Sequence, residues 1–264
     1  MQSNRRPRPA PLVPRMLVAA CLFGAGVSPA FAQYAQDDVH SDQAQWIVAP
    51  YLWALSVSTD LHTGRPPNGG VSSDRNFNSI LDDLDGAFLV HAEVQKGHFG
   101  AFTDFAYLGL ADHHDFRFFT TESDLDSRLF ELAGVWNPSG NTFHGFEVFA
   151  GLRYIEVDFN ARFIPRDPFF AQSSIDSDDS YSDFMLGVRY TWDFGDRWNL
   201  TVRGDGSAGE TDGTWNVSTM LGYKTHHGAW YFGYRHLNVD VGLPEGHNLD
   251  MTLSGAIVGY GFRF

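Results

Sequence analysis

The final sixteen residues read Leu249-Asp-Met-Thr-Leu-Ser-Gly-Ala-Ile-Val-Gly-Tyr-Gly-Phe-Arg-Phe264, and their two-residue alternation decides the fold class. Successive side chains of a strand point to opposite sides. Phe264, Phe262, Tyr260, Val258 and Ala256 therefore share one face, while Arg263, Gly261, Gly259, Ile257 and Gly255 share the other. The first face is apolar and aromatic, suited to lipid; the second is small and carries one charge. The chain is expected to be all-β, an antiparallel up-and-down transmembrane barrel with an aromatic girdle and a polar lumen. A soluble β-barrel with its apolar face inward alternates in the same way, and the terminal Phe, the export signal and the asymmetry of the connections decide between them.

The other terminus agrees. Arg5, Arg6, Arg8 and Arg15 precede an uncharged run from Met16 to Val27, and Ala30 and Ala32 follow it. A basic stretch, an apolar core and an A-x-A site make a secretory signal peptide. Residues 1–32 are expected to be removed, leaving a short periplasmic segment over 33–44 and the barrel over 45–264. A rival reading puts lipid on Cys21 after Val18-Ala-Ala. Only five apolar residues separate Arg15 from Cys21, however, short of the roughly 7–15 of an export core.

The full chain has 18 basic and 32 acidic residues, a net charge of −14. Residues 1–32 hold four arginines and no acid, so the mature part keeps 14 basic against 32 acidic residues, near −18. Nucleic acid is thereby excluded as a partner, since binding it calls for a basic face. The single cysteine departs with the signal peptide, leaving no disulfide to hold an exported fold. No later stretch has the roughly 18 consecutive apolar residues of a membrane-spanning helix, which excludes a helical membrane protein.

Alternating runs occur at residues 45–58, 87–95, 99–111, 128–137, 143–159, 183–192, 198–207, 214–223, 229–239 and 250–264. They predict ten strands, or eight if one hairpin is misread. Most are near the roughly 9–11 residues that cross a bilayer when tilted. Long connections (59–86, 112–127, 160–182, then the shorter 208–213 and 240–249) alternate with short ones (96–98, 138–142, 194–197, 224–228). That asymmetry marks the short turns, rich in Gly, Asn and Pro, as periplasmic, with both termini on their side. In the first long connection Phe77, Ile80, Leu81 and Leu84 recur at helical spacing, predicting a short amphipathic helix with Asn78 or Ser79 as N-cap, packed on the rim or capping the mouth.

Taking the apolar face of each strand as outward leaves His91, Glu93, Asp104, Glu131, Glu147, Arg153, Asp183, Arg189, Arg203, Asp205, Arg235 and Arg263 in the lumen. Acids dominate up to Glu147 and arginines from Arg153 onward. Closing the sheet sets the two arcs face to face, where Arg pairs with carboxylate across a narrow interior. Three phrases, Gly151-Leu-Arg153, Gly187-Val-Arg189 and Gly233-Tyr-Arg235, put Gly and Arg on that inner face, the Gly making room for the long side chain. A barrel of about eight strands is filled by side chains, and porin channels need roughly 16. Ten strands predict a plugged or very narrow lumen.

The phrases Ala49-Pro-Tyr-Leu-Trp53, Ile80-Leu-Asp-Asp-Leu-Asp85, Gly233-Tyr-Arg235 and Gly259-Tyr-Gly-Phe-Arg-Phe264 resemble those of small Gram-negative outer-membrane β-barrel proteins, loosely the OmpA-type and OmpW-type barrels. The resemblance implies outer-membrane lipid and lipopolysaccharide as surroundings. It also implies that Phe264, Phe262 and Tyr260 form a recognition signal for the β-barrel assembly machinery. The expected function is non-enzymatic, structural or a narrow passive channel for small solutes. The alternative is a surface enzyme acting on lipid A or peptide.

Lipid A deacylases carry His-x-Ser on a late strand; the matching phrase here is His236-Leu-Asn238 with Asp250 as acid, and an amide cannot replace the serine nucleophile. Outer-membrane proteases activate water with carboxylates and a histidine at the mouth, for which Asp82, Asp83, Asp85, His236 and Asp240 are candidates without matching spacing. Asp112-His-His-Asp115 and Ser174-Ile-Asp-Ser-Asp-Asp179 offer metal-ligand types. They imply weak divalent-cation binding at acidic loops rather than a dedicated cofactor.

Overall fold

A computed structural model describes residues 43–62, 70–115, 119–165, 173–243 and 247–264. The signal peptide, its cleavage site and most of segment 33–44 lie outside the described residues. Within them, eleven strands and one helix follow in order: β1 (Gln45–His62), β2 (Gly70–Arg75), α1 (Phe77–Asp82), β3 (Leu84–Lys96), β4 (Phe99–Asp115), β5 (Phe119–Trp136), β6 (Gly145–Pro165), β7 (Ser173–Phe194), β8 (Trp198–Gly209), β9 (Gly213–Lys224), β10 (Gly228–Leu243) and β11 (His247–Arg263). Ten of the strands, β1 and β3–β11, pair antiparallel in chain order, and β11 returns to β1 to close the barrel. At the seam Trp46 and Phe264 exchange backbone hydrogen bonds of 3.1 and 3.0 Å.

All ten expected strands are present. The alternation missed β2, because Gly70-Val-Ser-Ser-Asp-Arg75 has no apolar face; it pairs with the far end of β1, Val57–His62, beyond the part that β3 covers. Strand lengths also depart from expectation. β4 has 17 residues, β5 18, β6 21 and β7 22, so the connections expected over 112–127 and 160–182 are largely paired strand. The reason is visible on the outer face of β7. Phe184, Leu186, Val188, Tyr190, Trp192 and Phe194 are exposed apolar groups spanning eleven residues, the length of one crossing. Beyond them Ser182, Ser180, Asp178 and Asp176 face outward. Above the bilayer both faces meet water, so alternation vanishes while backbone pairing continues.

The outward apolar band is bordered at the end of short turns by Trp46, Trp136, Phe146, Trp192, Trp198, Trp230 and Phe262, as an interfacial girdle requires. The closing strand obeys the face assignment: Phe264 is 77% exposed, and Ile257 is 7% exposed.

The helix α1 is capped by Asn76, whose side chain accepts from the Ser79 backbone N–H at 3.1 Å. This corrects the expected cap at Asn78 or Ser79, which lie within the helix. Leu84, read as its last apolar position, begins β3. Ile80 is buried against the inward Leu55 and Leu110, so the helix packs on the inner wall at the long-loop end, against β1 and β4.

Candidate functional site

The interior is stacked in layers. At the short-turn end, residues 137–144 tuck under the lumen. Asn137 donates to the carbonyls of Asn141 and His144 at 2.6 and 3.0 Å and accepts from the Ser139 hydroxyl at 2.7 Å. Phe143, expected to open the strand that β6 represents, instead precedes it, adopts φ 61° and packs against Ile47 and Ala49 inside the barrel. Its backbone N–H donates to Gln95 Oε1 at 2.7 Å, and the Gln95 amide bridges Glu93 and Glu147 at 2.7 and 2.6 Å.

The charged layer follows. Arg189 forms a fork on Glu93, with Nη1 donating to Oε2 at 2.9 Å and Nη2 to Oε1, while its Nε donates to Glu147 on the neighbouring strand. His91 stands between Glu93 at 3.4 Å and Asp104 at 3.2 Å. Glu131 is the hub. Arg153 and Arg235 reach its Oε1 at 2.7 and 2.8 Å, and Arg203 reaches Oε2 at 2.9 Å. Glu131 and Arg153 are both 0% exposed. Asp205 accepts from Arg203 at 2.6 Å and from Asn216 at 2.7 Å, and it also pairs with Arg153. Asp183 instead accepts neutral donors, the Ser207 and Thr211 hydroxyls and the Thr211 backbone N–H.

Thus the eleven residues from His91 to Arg235 on the sequence-derived list form one connected interior set, across the arcs of opposite sign. Arg263 faces inward without joining it; among the described residues it is the inward arginine with no carboxylate partner, and its Nε is buried and unpaired. The spacing offered no sign of Gln95, of Tyr51, whose hydroxyl donates to Asp104 at 2.7 Å, or of Asn216, whose Oδ1 accepts from Arg235 at 3.0 Å. Phe102 and Phe149, edge to face at 5.3 Å, support the arginines: the Arg203 guanidinium lies 4.8 Å from the Phe149 ring centre and 5.1 Å from that of Phe102. Above this layer the lumen turns apolar. Leu129, Leu237, Val239 and Val241 form a buried cluster with Trp53, Ile155 and Tyr181 packed on it, and Ile80 of α1 packs on Leu55 and Leu110 beside it. The expectation of a polar lumen therefore holds for the lower half only.

The hydrolase candidates are dispersed. The His236 ring lies 4.7 Å from that of Trp215, tilted by 34°, and its partner on β11 is Ser254. Asn238 donates to the Thr252 hydroxyl at 3.3 Å. Asp250 stands opposite Asp240, and Asp83 pairs with Arg75 at 2.6 Å. Of the metal candidates, His113, His114 and Asp115 have side chains outside the described residues, while 174–179 are strand residues whose acids alternate between faces. Asp178 meets Glu156 and Asp158 of β6 instead, their ligand atoms all within 4.8 Å of one another. Arg128 already approaches two of these acids, Glu156 at 2.7 Å and Asp158 at 3.3 Å.

Asp240 lies above the last lipid-facing aromatic of β10, Tyr234. A side-chain hydrogen bond to Asp250, with partial burial and the charges of Asp250 and Asp212 behind it, raises its pKa to about 6. Between the unfolded value of roughly 3.9 and about 6, the folded state keeps a proton that the unfolded chain has released. The stabilisation is complete at low pH and is lost as pH rises through about 6. Asp240→Asn is expected to raise the urea midpoint of the refolded barrel at pH 8 and to leave it unchanged at pH 4. An equal shift at both would contradict the shared-proton account.

No protein-family model and no curated protein sequence matches the chain. Its fold is similar to those of solved outer-membrane proteins. The outer membrane protease OmpT from Escherichia coli aligns at 9% identity and TM-score 0.50 over 85% of this chain and 98% of that one. The attachment invasion locus protein Ail of Yersinia pestis aligns at 9% and 0.38 over 84% and 100%. Neisserial surface protein A aligns at 12% and 0.26 over 83% and 98%. The chain has the fold of an outer-membrane β-barrel protein, closed by ten antiparallel strands. The narrower affinity to OmpA-type and OmpW-type barrels rests on the sequence phrases alone.

Proposed function

We propose that the protein is a non-enzymatic, non-conducting outer-membrane barrel that serves as a structural element of the cell envelope. The observation that carries this reading is Glu131, fully buried at mid-lumen with arginines from three strands converging on it. An apolar layer lies above and the Phe143 turn below. No charge in the ionic layer can be displaced by a passing solute without leaving a partner buried and unpaired, which is strongly unfavourable.

The termini and short turns are periplasmic, and the long paired extensions are extracellular, in keeping with the loop asymmetry of bacterial barrels. Lipid and lipopolysaccharide surround the outer face. The acidic rim would repel anionic lipopolysaccharide unless divalent cations bridge the two, so weak binding of such cations there is part of the reading. The aromatic end of β11 presents Phe264, Phe262 and Tyr260 to the assembly machinery, which the 77% exposure of Phe264 in the finished barrel permits.

The refolded protein, its insertion verified by heat-modifiable migration, is expected to give no current steps above baseline in a planar bilayer. Reproducible steps from the folded species would overturn the closed reading in favour of a narrow channel.

A further inference from the structure

Below the ionic layer the barrel is not filled. A cavity of about 190 Å³ lies between the charged residues and the seam strands β1 and β11, reaching the short-turn end. Ile47, Ala49 and the ring of Phe143 pack together on its wall, while Met220 and Ile257 line it among the polar groups Tyr231, Thr201 and Asn199, with Met220 opposite Thr201 on the next strand. Arg263 projects toward it from the last turn of the closing strand.

The charge of this lining runs against the chain as a whole. The protein is strongly acidic, yet four arginines (189, 203, 235 and 263) line the cavity against three carboxylates (Glu93, Asp104, Glu147). Arg189, Arg203 and Arg235 are drawn to the far wall by Glu93, Glu147, Glu131, Asp205 and Asp104. Arg263 has no such partner among the described residues, and its Nε is buried without an acceptor. A buried N–H without an acceptor is costly, and the group that satisfies an arginine's Nε together with one Nη best is a planar carboxylate taken by two parallel N–H bonds.

From this geometry we infer a binding site for a small monocarboxylate with a compact apolar body, seated with its carboxylate on Arg263 and its body against Ile47, which faces Arg263 across the seam, and the Ala49 and Phe143 packed on Ile47. The size fits a single ring or a short branched chain, since an apolar cavity of about 150 Å³ accommodates benzene. The three carboxylates across the cavity disfavour a dianion, which selects carboxylate over phosphate. Phe143, held in a strained left-handed backbone conformation, lines the site at the short-turn side, where it packs on Ile47 and Ala49. The inference goes beyond the closed-barrel reading and does not depend on whether the ionic layer leaks.

The test uses the full mature chain refolded into lipid nanodiscs, with benzoate as probe and benzamide as its neutral isostere, measured by titration calorimetry. Benzoate is expected to bind and benzamide to bind about tenfold more weakly or less, as loss of a charge-assisted bidentate pair implies. Arg263→Gln should remove the preference, while Arg197→Gln, at an exposed arginine bonded to Tyr223, should preserve it. Ala49→Leu, with Gly261 beside it, fills the cavity between Ile47 and Phe143 while keeping Arg263, and should abolish binding in a barrel that still shows heat-modifiable migration. Inorganic phosphate should not displace benzoate.

Equal binding of benzoate and benzamide by the wild-type protein, or no binding of either, overturns the inference. So do benzoate binding that survives Ala49→Leu and displacement by phosphate. Conductance in a planar bilayer reads the closed-barrel proposal separately, so failure of one is distinguishable from failure of the other.

Discussion

Glu131→Gln is expected to destabilise the barrel by about 3–5 kcal/mol, the usual cost of removing one partner from a buried ionic set. The neutral amide keeps the volume but leaves Arg153, Arg203 and Arg235 sharing only Asp205 and Asp104 in a layer from which water is excluded. The double change Glu131→Gln with Arg235→Gln should recover a substantial part of the loss, because Arg153 and Arg203 retain Asp205 and the excess charge is gone. Urea unfolding of both variants in lipid vesicles measures this. If the double variant loses the sum of two independent single losses, Glu131 and Arg235 are not coupled, and the picture of a hub is wrong.

Gly187→Ala is expected to cost about 1–3 kcal/mol, the range for forcing a methyl group into a packed interior. A Cβ at Gly187 would run into the Phe149 ring and lie 2.5 Å from the Asp205 Cβ. Neither can step aside. The ring is held by Phe102 and the Arg203 guanidinium, and Asp205 is held by Arg153, Arg203 and Asn216. Gly204 is the internal control: it sits on β8 opposite Val188, with nothing within 4 Å of its would-be Cβ. Gly204→Ala should be neutral or slightly stabilising, by up to about 1 kcal/mol through reduced chain entropy in the unfolded state. Equal effects at the two sites, read from the same urea curves, would mean that the lower lumen is looser than its contacts indicate.

The geometry at Gly187 refines the meaning of the Gly-x-Arg repeat. In sequence the glycine clears a path for the arginine two residues on. In the folded barrel the space at Gly187 belongs to the Phe149 ring, which carries Arg203 of the next strand. The repeat was legible because period two places Gly and Arg on one face. Its purpose was not, because the ring that uses the space lies on another strand.

The face assignment for the lower lumen was within reach of the sequence because lipid and lumen impose opposite chemistry there. A charged residue between two aromatic neighbours can only point inward. That constraint fails at both ends of the barrel. Above the bilayer, Asp176, Asp178 and Ser180 face water on one side of β7, and Ser177 and Asp179 are equally polar on the other, so the paired extension reads as a loop. At the turn end, Phe143 follows a turn as a girdle aromatic would, and only a positive φ sends it inward.

Alternation, with the terminal Phe, the export signal and the asymmetry of the connections to say which face meets lipid, is enough to specify the barrel and the residues that line its lower half, because a strand that meets lipid on one side and a polar interior on the other must change character at every residue. Three features wait on the folded barrel: which arginine takes which carboxylate, the apolar layer beside α1, and the gap beside Arg263. They depend on closure, which brings Glu93 to Arg189 across 96 residues and Glu131 to Arg235 across 104, each within hydrogen-bonding distance. No local periodicity encodes that meeting.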